Sequence, residues 1–196
     1  MKLIKRIIDF VLSLIALIIL SPILLIIAII IKLDSKGPVF FKQERLGRNG
    51  EVFLIYKFRT MIPDAEKVGL GIYTSSSDPR ITKVGGFLRK TSLDELPQLI
   101  NVLKGEMSLV GPRPPVPYHP YKYEDYSDEQ KLRFTVPPGI TGYAQINGRN
   151  TLTWDERIEY DIEYVKNFSV LLDIKIMFKT IGYTFNKKAI YSKNKD

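Results

Sequence analysis

The sequence predicts an α+β fold that is mainly helical, and three observations carry that reading. Residues 10–31 form an uncharged apolar run, residues 39–58 hold two β-prone stretches around a glycine-rich turn, and apolar residues recur at helical spacing in several later segments. Of the 196 residues, 45% are hydrophobic, enough for the core of one ordinary domain and too few residues for a second. The mean hydropathy of -0.03 averages two unlike parts, because the apolar residues crowd into the first of them. The chain therefore divides into residues 1–36 and residues 37–196.

The apolar run reads FVLSLIALIILSPILLIIAIII. At about 1.5 Å per residue it can cross a hydrocarbon core of about 30 Å, so it belongs in a membrane. It is too long for a cleaved signal peptide, and no small-residue cleavage site follows it. Ser21-Pro22 lies at its middle, where proline lacks an N–H and crowds the carbonyl of Ile18. Two topologies are open: a kinked single span, and a re-entrant helix-break-helix in which Ser21 helps to satisfy the freed backbone groups. Lys2, Lys5 and Arg6 precede the run and Lys32 and Lys36 follow it, so both ends look cytoplasmic. Lys42, Arg45 and Arg48 add charge downstream, which keeps the span open.

Beyond the membrane segment, residues 39–41 and 52–58 are expected to pair as a hairpin across the turn at 47–50. Residues 63–80, polar and rich in glycine and serine, are expected to form a surface loop with no core. Leu93, Leu96, Ile100 and Leu103 predict a helix over 91–103 that Gly105 stops. Residues 111–120, GPRPPVPYHP, are a stiff loop, since repeated proline removes donors and fixes φ. Thr153 and Glu156 are spaced as a capping box before a helix carrying Trp154, Ile158, Ile162 and Val165 on one face. A last helix over 170–185 is apolar on most sides but carries Lys175 and Lys179. It fits either a core or a lipid interface with snorkelling lysines.

The formal charge of +8 points to an anionic partner, whether nucleic acid, anionic lipid or a phosphorylated substrate. There is no cysteine, which excludes disulfides and thiolate metal sites, and His119 is the single histidine, which excludes any site of two imidazoles. The sequence contains no Gly-rich dinucleotide or Walker fingerprint.

Ser92-Leu93-Asp94-Glu95 has the spacing of a capping box, in which Glu95 reaches back to Ser92. The same physics has a chemical reading: a carboxylate at a helix N-terminus stays ionised and available as a nucleophile, and the N–H groups beside it welcome a phosphate. A carboxylate attacking a diphosphate needs cations, and Lys57, Arg59, Arg89 and Arg113 are the candidates. Arg113 stands out because Gly111, Pro112, Pro114 and Pro115 fix its backbone and reduce the entropy lost when it grips phosphate. His119, in the same loop, is expected to be a partly exposed imidazole.

YKFRTM at 56–61, LRKTSLDELPQLINVLKGEMSLVGPRP at 88–114 and PGITGYAQINGRN at 138–150 resemble the signature segments of the bacterial sugar transferase family, specifically its small monotopic phosphoglycosyl transferases. The likeness covers nearly the whole chain, and Tyr143, where tryptophan is common in the family, is a conservative departure. It implies that Asp94 is the nucleophile and Glu95 its partner in an acidic dyad, with Lys57, Arg89 and Arg113 at phosphate-binding positions. It implies Mg²⁺ as cofactor, with Asp94 and Glu95 as its ligands, and a UDP-sugar and a polyprenyl (undecaprenyl) phosphate as substrates, with membrane lipid but no nucleic acid as partner. Two-step transfer of a sugar 1-phosphate would pass through an aspartyl phosphosugar and release UMP. Ser21-Pro22 matches the family's re-entrant break. Residues 1–36 would then be a re-entrant membrane helix in the bacterial inner membrane, and residues 37–196 a catalytic domain with interfacial helices around an active site on the cytoplasmic face. Two other classes compete. A membrane-anchored nucleic-acid binder would use Tyr56-Lys57-Phe58-Arg59 and bind in a steeply salt-dependent way; an inactive assembly scaffold is opposed by the intact Asp94-Glu95 and Arg113.

Overall fold

The computed structural model describes residues 2–65, 78–148 and 151–185. The apolar run forms α1 (Lys2–Asp34), one helix long and apolar enough to cross a membrane. It stays helical through Ser21-Pro22, where the sequence suggests a break. Ser21 Oγ donates to the Ile18 carbonyl at 2.8 Å, so the acceptor that Pro22 deprives of its N–H is satisfied within the helix. The middle of α1 stands clear of the rest of the chain, with Ile18, Ile19 and Leu25 each more than 60% exposed.

Both ends of α1 are held by the remainder of the protein. Near its start, Lys5 pairs with Asp173 at 2.5 Å, and Arg6 donates to the carbonyls of Val102 and Leu103. Buried Asp9 accepts from Ser108 Oγ at 2.7 Å and from the Leu109 N–H at 3.2 Å. Near its end, Ile27 and Ile31 are buried against Phe58 and Leu88. Buried Arg59 then closes the C-terminus, donating to the carbonyls of Ile31, Ser35 and Lys36 and to Ser35 Oγ. Ile31 lies in the last turn of α1 and Ser35 and Lys36 follow it, so the guanidinium meets the negative end of the helix dipole. Gly37, at φ 120°, allows this approach, because a Cβ would lie 2.2 Å from Arg59 Nη1.

The expected hairpin is present as β1 (Phe40–Leu46) antiparallel to β2 (Val52–Phe58), in a register that pairs Phe40 with Phe58 and Leu46 with Val52. The following loop departs from expectation. Residues 66–77 lie outside the described residues; Pro63, Asp64 and Pro79 are exposed, but Ala65, Asp78 and Arg80 are buried, with Arg80 paired to Asp78 at 2.7 Å and donating to the Ala65 carbonyl.

The helix expected over 91–103 is two helices with a turn between them. Helix α2 (Lys83–Thr91), not foreseen from the sequence, is capped by Thr82 and ends at Ser92, which adopts the left-handed conformation at φ 58°. A single 3-10 turn, Leu93–Glu95, follows, and α3 (Gln98–Lys104) starts after Pro97 and stops at Gly105 as expected. Left-handed Ser92 and Pro97 are each incompatible with a continuous ladder, and apolar periodicity does not register that.

Two three-residue strands also escaped the sequence reading: β3 (Ser108–Val110) and β4 (Gly139–Thr141) pair in parallel. Around them pack α4 (Asp128–Lys131), α5 (Tyr143–Asn147), α6 (Trp154–Lys166) and α7 (Val170–Phe185). The Thr153–Glu156 capping box on α6 is as expected, and Ile158 and Ile162 are buried beside Leu46, Tyr126 and Phe134. Helix α7 combines the two readings offered for it. Ile176 and Asp173 are buried, whereas Leu171, Phe178 and Ile181 form an exposed apolar face next to exposed Lys175 and Lys179.

Replacing Arg59 by alanine removes four hydrogen bonds from the junction of α1 and β2. The expected result is a loss of about 3 kcal/mol of stability, read as a lower unfolding midpoint in detergent, with Arg59→Lys recovering part of it.

Candidate active site

The site is assembled from three segments distant in the sequence. Strand β2 supplies Lys57, the turn between α2 and α3 supplies Asp94 and Glu95, and the proline-rich loop after β3 supplies Arg113. Lys57 Nζ donates to Glu95 Oε1 at 2.8 Å and Arg113 Nη2 donates to the same oxygen at 3.0 Å. Glu95 is therefore the joint of the site. The capping-box reading is overturned, since Ser92 is in the left-handed region with no side-chain cap to the turn, and Glu95 faces the two cations. The 3-10 turn also removes the helix N-terminus that was expected to keep Asp94 ionised.

Asp94 stands in a different environment from its neighbour. Among the described residues its carboxylate takes part in no hydrogen bond or ion pair, so its oxygens are available. Burial raises its pKa to about 6, Glu95's charge adds to that rise, and Lys57, Arg89 and Arg113 oppose it. Glu95 is driven the other way: burial opposes its charge, but Arg113 and Lys57 together outweigh burial and hold it far below the usual carboxylate range. Burial lowers the pKa of Lys57, Glu95 counteracts that, and Arg113 adds to the lowering. One carboxylate is thus fixed as a counter-ion while the adjacent one is left poised.

Of the other sequence candidates, Arg89 on α2 lies within electrostatic reach of Asp94 and is steered by Thr60, whose Oγ1 accepts from Arg89 Nε at 2.8 Å. Arg59 is not in the site, because the end of α1 and the two residues after it take its donated bonds described above. With Lys57 on Glu95 and Arg59 on α1, residues 56–59 do not present the basic stripe that suggested a nucleic-acid surface. His119 is half-buried and meets Trp154 edge to face at 5.5 Å. Arg149 and Asn150, the end of the third signature segment, lie outside the described residues.

The sequence reading missed what fixes the Arg113 loop. Arg133 Nη2 donates to the Arg113 carbonyl at 2.9 Å and is itself held by Asp161 at 2.6 Å, both side chains being almost wholly buried. Arg45 donates to the Pro114 carbonyl at 3.0 Å, and Leu46 to that of Pro115 at 2.9 Å. One signal was legible: Asp161 is a charge on the face of α6 that carries Ile158 and Ile162, and a buried charge requires a partner.

A divalent cation would find hard oxygen donors here. No group of three or more acidic or histidine ligands occurs among the described residues, and one Glu95 oxygen is taken by Lys57 and Arg113. The arrangement fits an ion such as Mg²⁺ that binds through one or two carboxylates and completes its shell with phosphate oxygens and water.

Comparison with known proteins gives the family of the chain. Residues 1–187 match the family described as Bacterial sugar transferase. A UDP-glucose:undecaprenyl-phosphate glucose-1-phosphate transferase of Escherichia coli K12 is 47% identical over 97% of this chain and 42% of its own length. Galactosyl transferase CpsE of Streptococcus agalactiae is 45% identical over 90% of the chain and 41% of its own length. A sugar transferase of Bacillus subtilis, EpsL, itself called uncharacterized, is 43% identical over 97% of the chain and 91% of its own length. The chain thus spans about two fifths of the first two relatives and most of the third. With a family match along almost its whole length, this chain belongs to the bacterial sugar transferase family.

Proposed function

We propose that the protein transfers a sugar 1-phosphate from a UDP-sugar to a polyprenyl phosphate in two steps, with Asp94 as nucleophile. The observation that carries this reading is the division of labour in the dyad: Glu95 is engaged by Lys57 and Arg113, and Asp94 beside it has no partner among the described residues. The names of the relatives, which specify UDP-glucose, undecaprenyl phosphate and galactosyl transfer, support a UDP-hexose and a polyprenyl phosphate as the substrate classes.

In the first step an Asp94 carboxylate oxygen attacks the β-phosphorus of the donor. The bond from that phosphorus to the bridging oxygen breaks, UMP departs with the bridging oxygen, and an acyl phosphate to the sugar remains on Asp94. In the second step an oxygen of the polyprenyl phosphate attacks the same phosphorus and returns the carboxylate of Asp94. A carboxylate attacking a diphosphate is opposed by its charge. Lys57, Arg89 and Arg113 offset that repulsion, and Arg113 offers the planar fork suited to phosphate. Glu95 acts on the reaction by holding Lys57 and Arg113. Mg²⁺ bound by Asp94 or Glu95 and the diphosphate would neutralise charge on the leaving group. Two steps suit a soluble donor and a lipid acceptor, which need not occupy the site together.

Topology follows from the same reading. Charged contacts bind the start of α1 to α7, α3 and β3, while apolar and capping contacts bind its end to β2 and α2. A body anchored to both ends favours a re-entrant helix over a span, since otherwise it would have to line the bilayer from face to face. The apolar face of α7 at Leu171, Phe178 and Ile181 suits the lipid interface. The basic residues at both ends support a catalytic domain on the cytoplasmic face of the bacterial inner membrane.

UDP-sugar alone should release a burst of up to one UMP per active site. Asp94→Asn is expected to abolish it with the fold retained, and mass spectrometry should find the phosphosugar on the Asp94 peptide. An adduct on Glu95, or UMP release only after the lipid acceptor is added, refutes the assignment.

Attack requires ionised Asp94, so the burst rate should be flat above neutrality and fall about tenfold per pH unit below the group's pKa of about 6. Glu95→Gln removes a charge that raises this pKa, and the midpoint should move to lower pH. An unchanged midpoint would show that the profile reports another group.

Cysteines placed at Leu3 and Lys175 should both resist an impermeant thiol reagent in intact cells and both react in inverted vesicles. Labelling of position 3 alone from outside excludes the re-entrant arrangement.

A further inference from the structure

Helix α6 brings one more cation to the edge of the site. Arg157 lies one helical turn before Asp161 on the same face, and Asp161 holds Arg133, which in turn holds the Arg113 carbonyl. The Arg157 guanidinium sits 5.0 Å from the centre of the Trp154 ring, and the opposite partner of that ring is His119, from the Arg113 loop. Stacking on tryptophan fixes the plane of an arginine without using its N–H groups.

Those N–H groups lack a described acceptor. Arg157 Nε is buried with no hydrogen-bond partner, and no ion pair is made by Arg157 among the described residues. Asp161, the carboxylate on its face, gives Oδ2 to both Nε and Nη2 of Arg133. Burial followed by repulsion from Arg113 lowers the pKa of Arg157, and the attraction of Asp161 is the smaller effect. A guanidinium braced on a ring, with a buried donor unused and a second guanidinium repelling it, is in an unfavourable arrangement that an anion relieves.

We infer that Arg157, braced on Trp154, binds the donor phosphate that departs with UMP, opposite Arg113 and farther from Asp94. This rests on the donor reading above. The cations bearing most on Asp94 are Lys57, Arg89 and Arg113, which assigns them to the transferred phosphorus. Arg157 is not among the charges bearing most on Asp94, which leaves it for the phosphate that departs. When the bond from the β-phosphorus to the bridging oxygen breaks, the negative charge that appears on UMP is met by Arg157.

Trp154 is the only tryptophan in the chain, so its emission reports directly on the guanidinium stacked against it. The experiment titrates UMP, uridine and, separately, undecaprenyl phosphate into the full chain in nanodiscs while Trp154 fluorescence is followed. UMP should give a saturable change in the wild type and bind about tenfold more weakly to Arg157→Gln, with the melting midpoint unchanged. Uridine, which lacks the phosphate, should bind weakly and equally to both. Arg157→Lys keeps a cation on the ring and serves if the glutamine variant does not fold; it should bind UMP several-fold more weakly than the wild type, because a point charge does not reproduce the fork. Three results overturn the proposal: wild-type UMP affinity in the variants, equal loss of uridine and UMP, or a response to undecaprenyl phosphate alone. The outcome is independent of turnover. Arg157-dependent UMP binding in a protein that releases no UMP from any UDP-sugar would sink the transferase reading and leave this one standing.

Discussion

Glu95 accepts from Lys57 and Arg113 on a single carboxylate oxygen, and through that oxygen a strand, a turn and a proline-rich loop are drawn to one point. Lys57 and Glu95 are largely removed from water, so each is costly alone and tolerable together, while Arg113 reaches the same oxygen from a more exposed position. The arrangement has a consequence for the residue beside it. Asp94 shares the burial and the positive field, but its oxygens are not consumed. A single step along the backbone therefore separates a carboxylate that serves as scaffold from one that can react.

The scaffold extends outward in layers. Arg113 is positioned through its carbonyl by Arg133, and Arg133 is positioned by Asp161 on α6. Thr60 steers Arg89, and the Thr60 carbonyl receives the Thr82 N–H where α2 begins. Gly85 lets α2 approach that strand end, where a Cβ would lie 2.0 Å from the Thr60 oxygen. Cationic side chains are flexible in isolation; here each is fixed at the backbone or at the head group, which lowers its conformational entropy.

The membrane helix belongs to the same construction. Arg59, one residue past the end of β2, caps α1, while Lys57 two residues earlier reaches Glu95. Alternation along the strand sends these two side chains to one face, where one secures the membrane segment and the other secures the site. Asp9 and Lys5 lock the opposite end of α1 to β3 and α7. The position of Glu95 relative to the apolar helix is thus set by a short run of backbone.

The sequence by itself determined the elements whose cause is local. An uncharged 22-residue run can only be a membrane helix, alternating residues around a glycine turn form a hairpin, and Thr153 with Glu156 caps α6. The signature segments also located Asp94, Glu95, Lys57, Arg89 and Arg113. Tertiary structure decided what these residues do. Ser92-x-x-Glu95 has the spacing of a cap, yet left-handed Ser92 and Pro97 break the helix, and two cations that lie 38 residues before Glu95 and 18 after it claim its carboxylate. Arg59 looked like a site cation until the end of α1 and the two residues after it supplied four acceptors for it. The parallel pairing of β3 with β4, and the placing of Arg157 beside Arg113, likewise depend on partners far along the chain. Charge is legible one residue at a time, but its role is set by which opposite charge the fold brings within 3 Å, and periodicity holds no record of that.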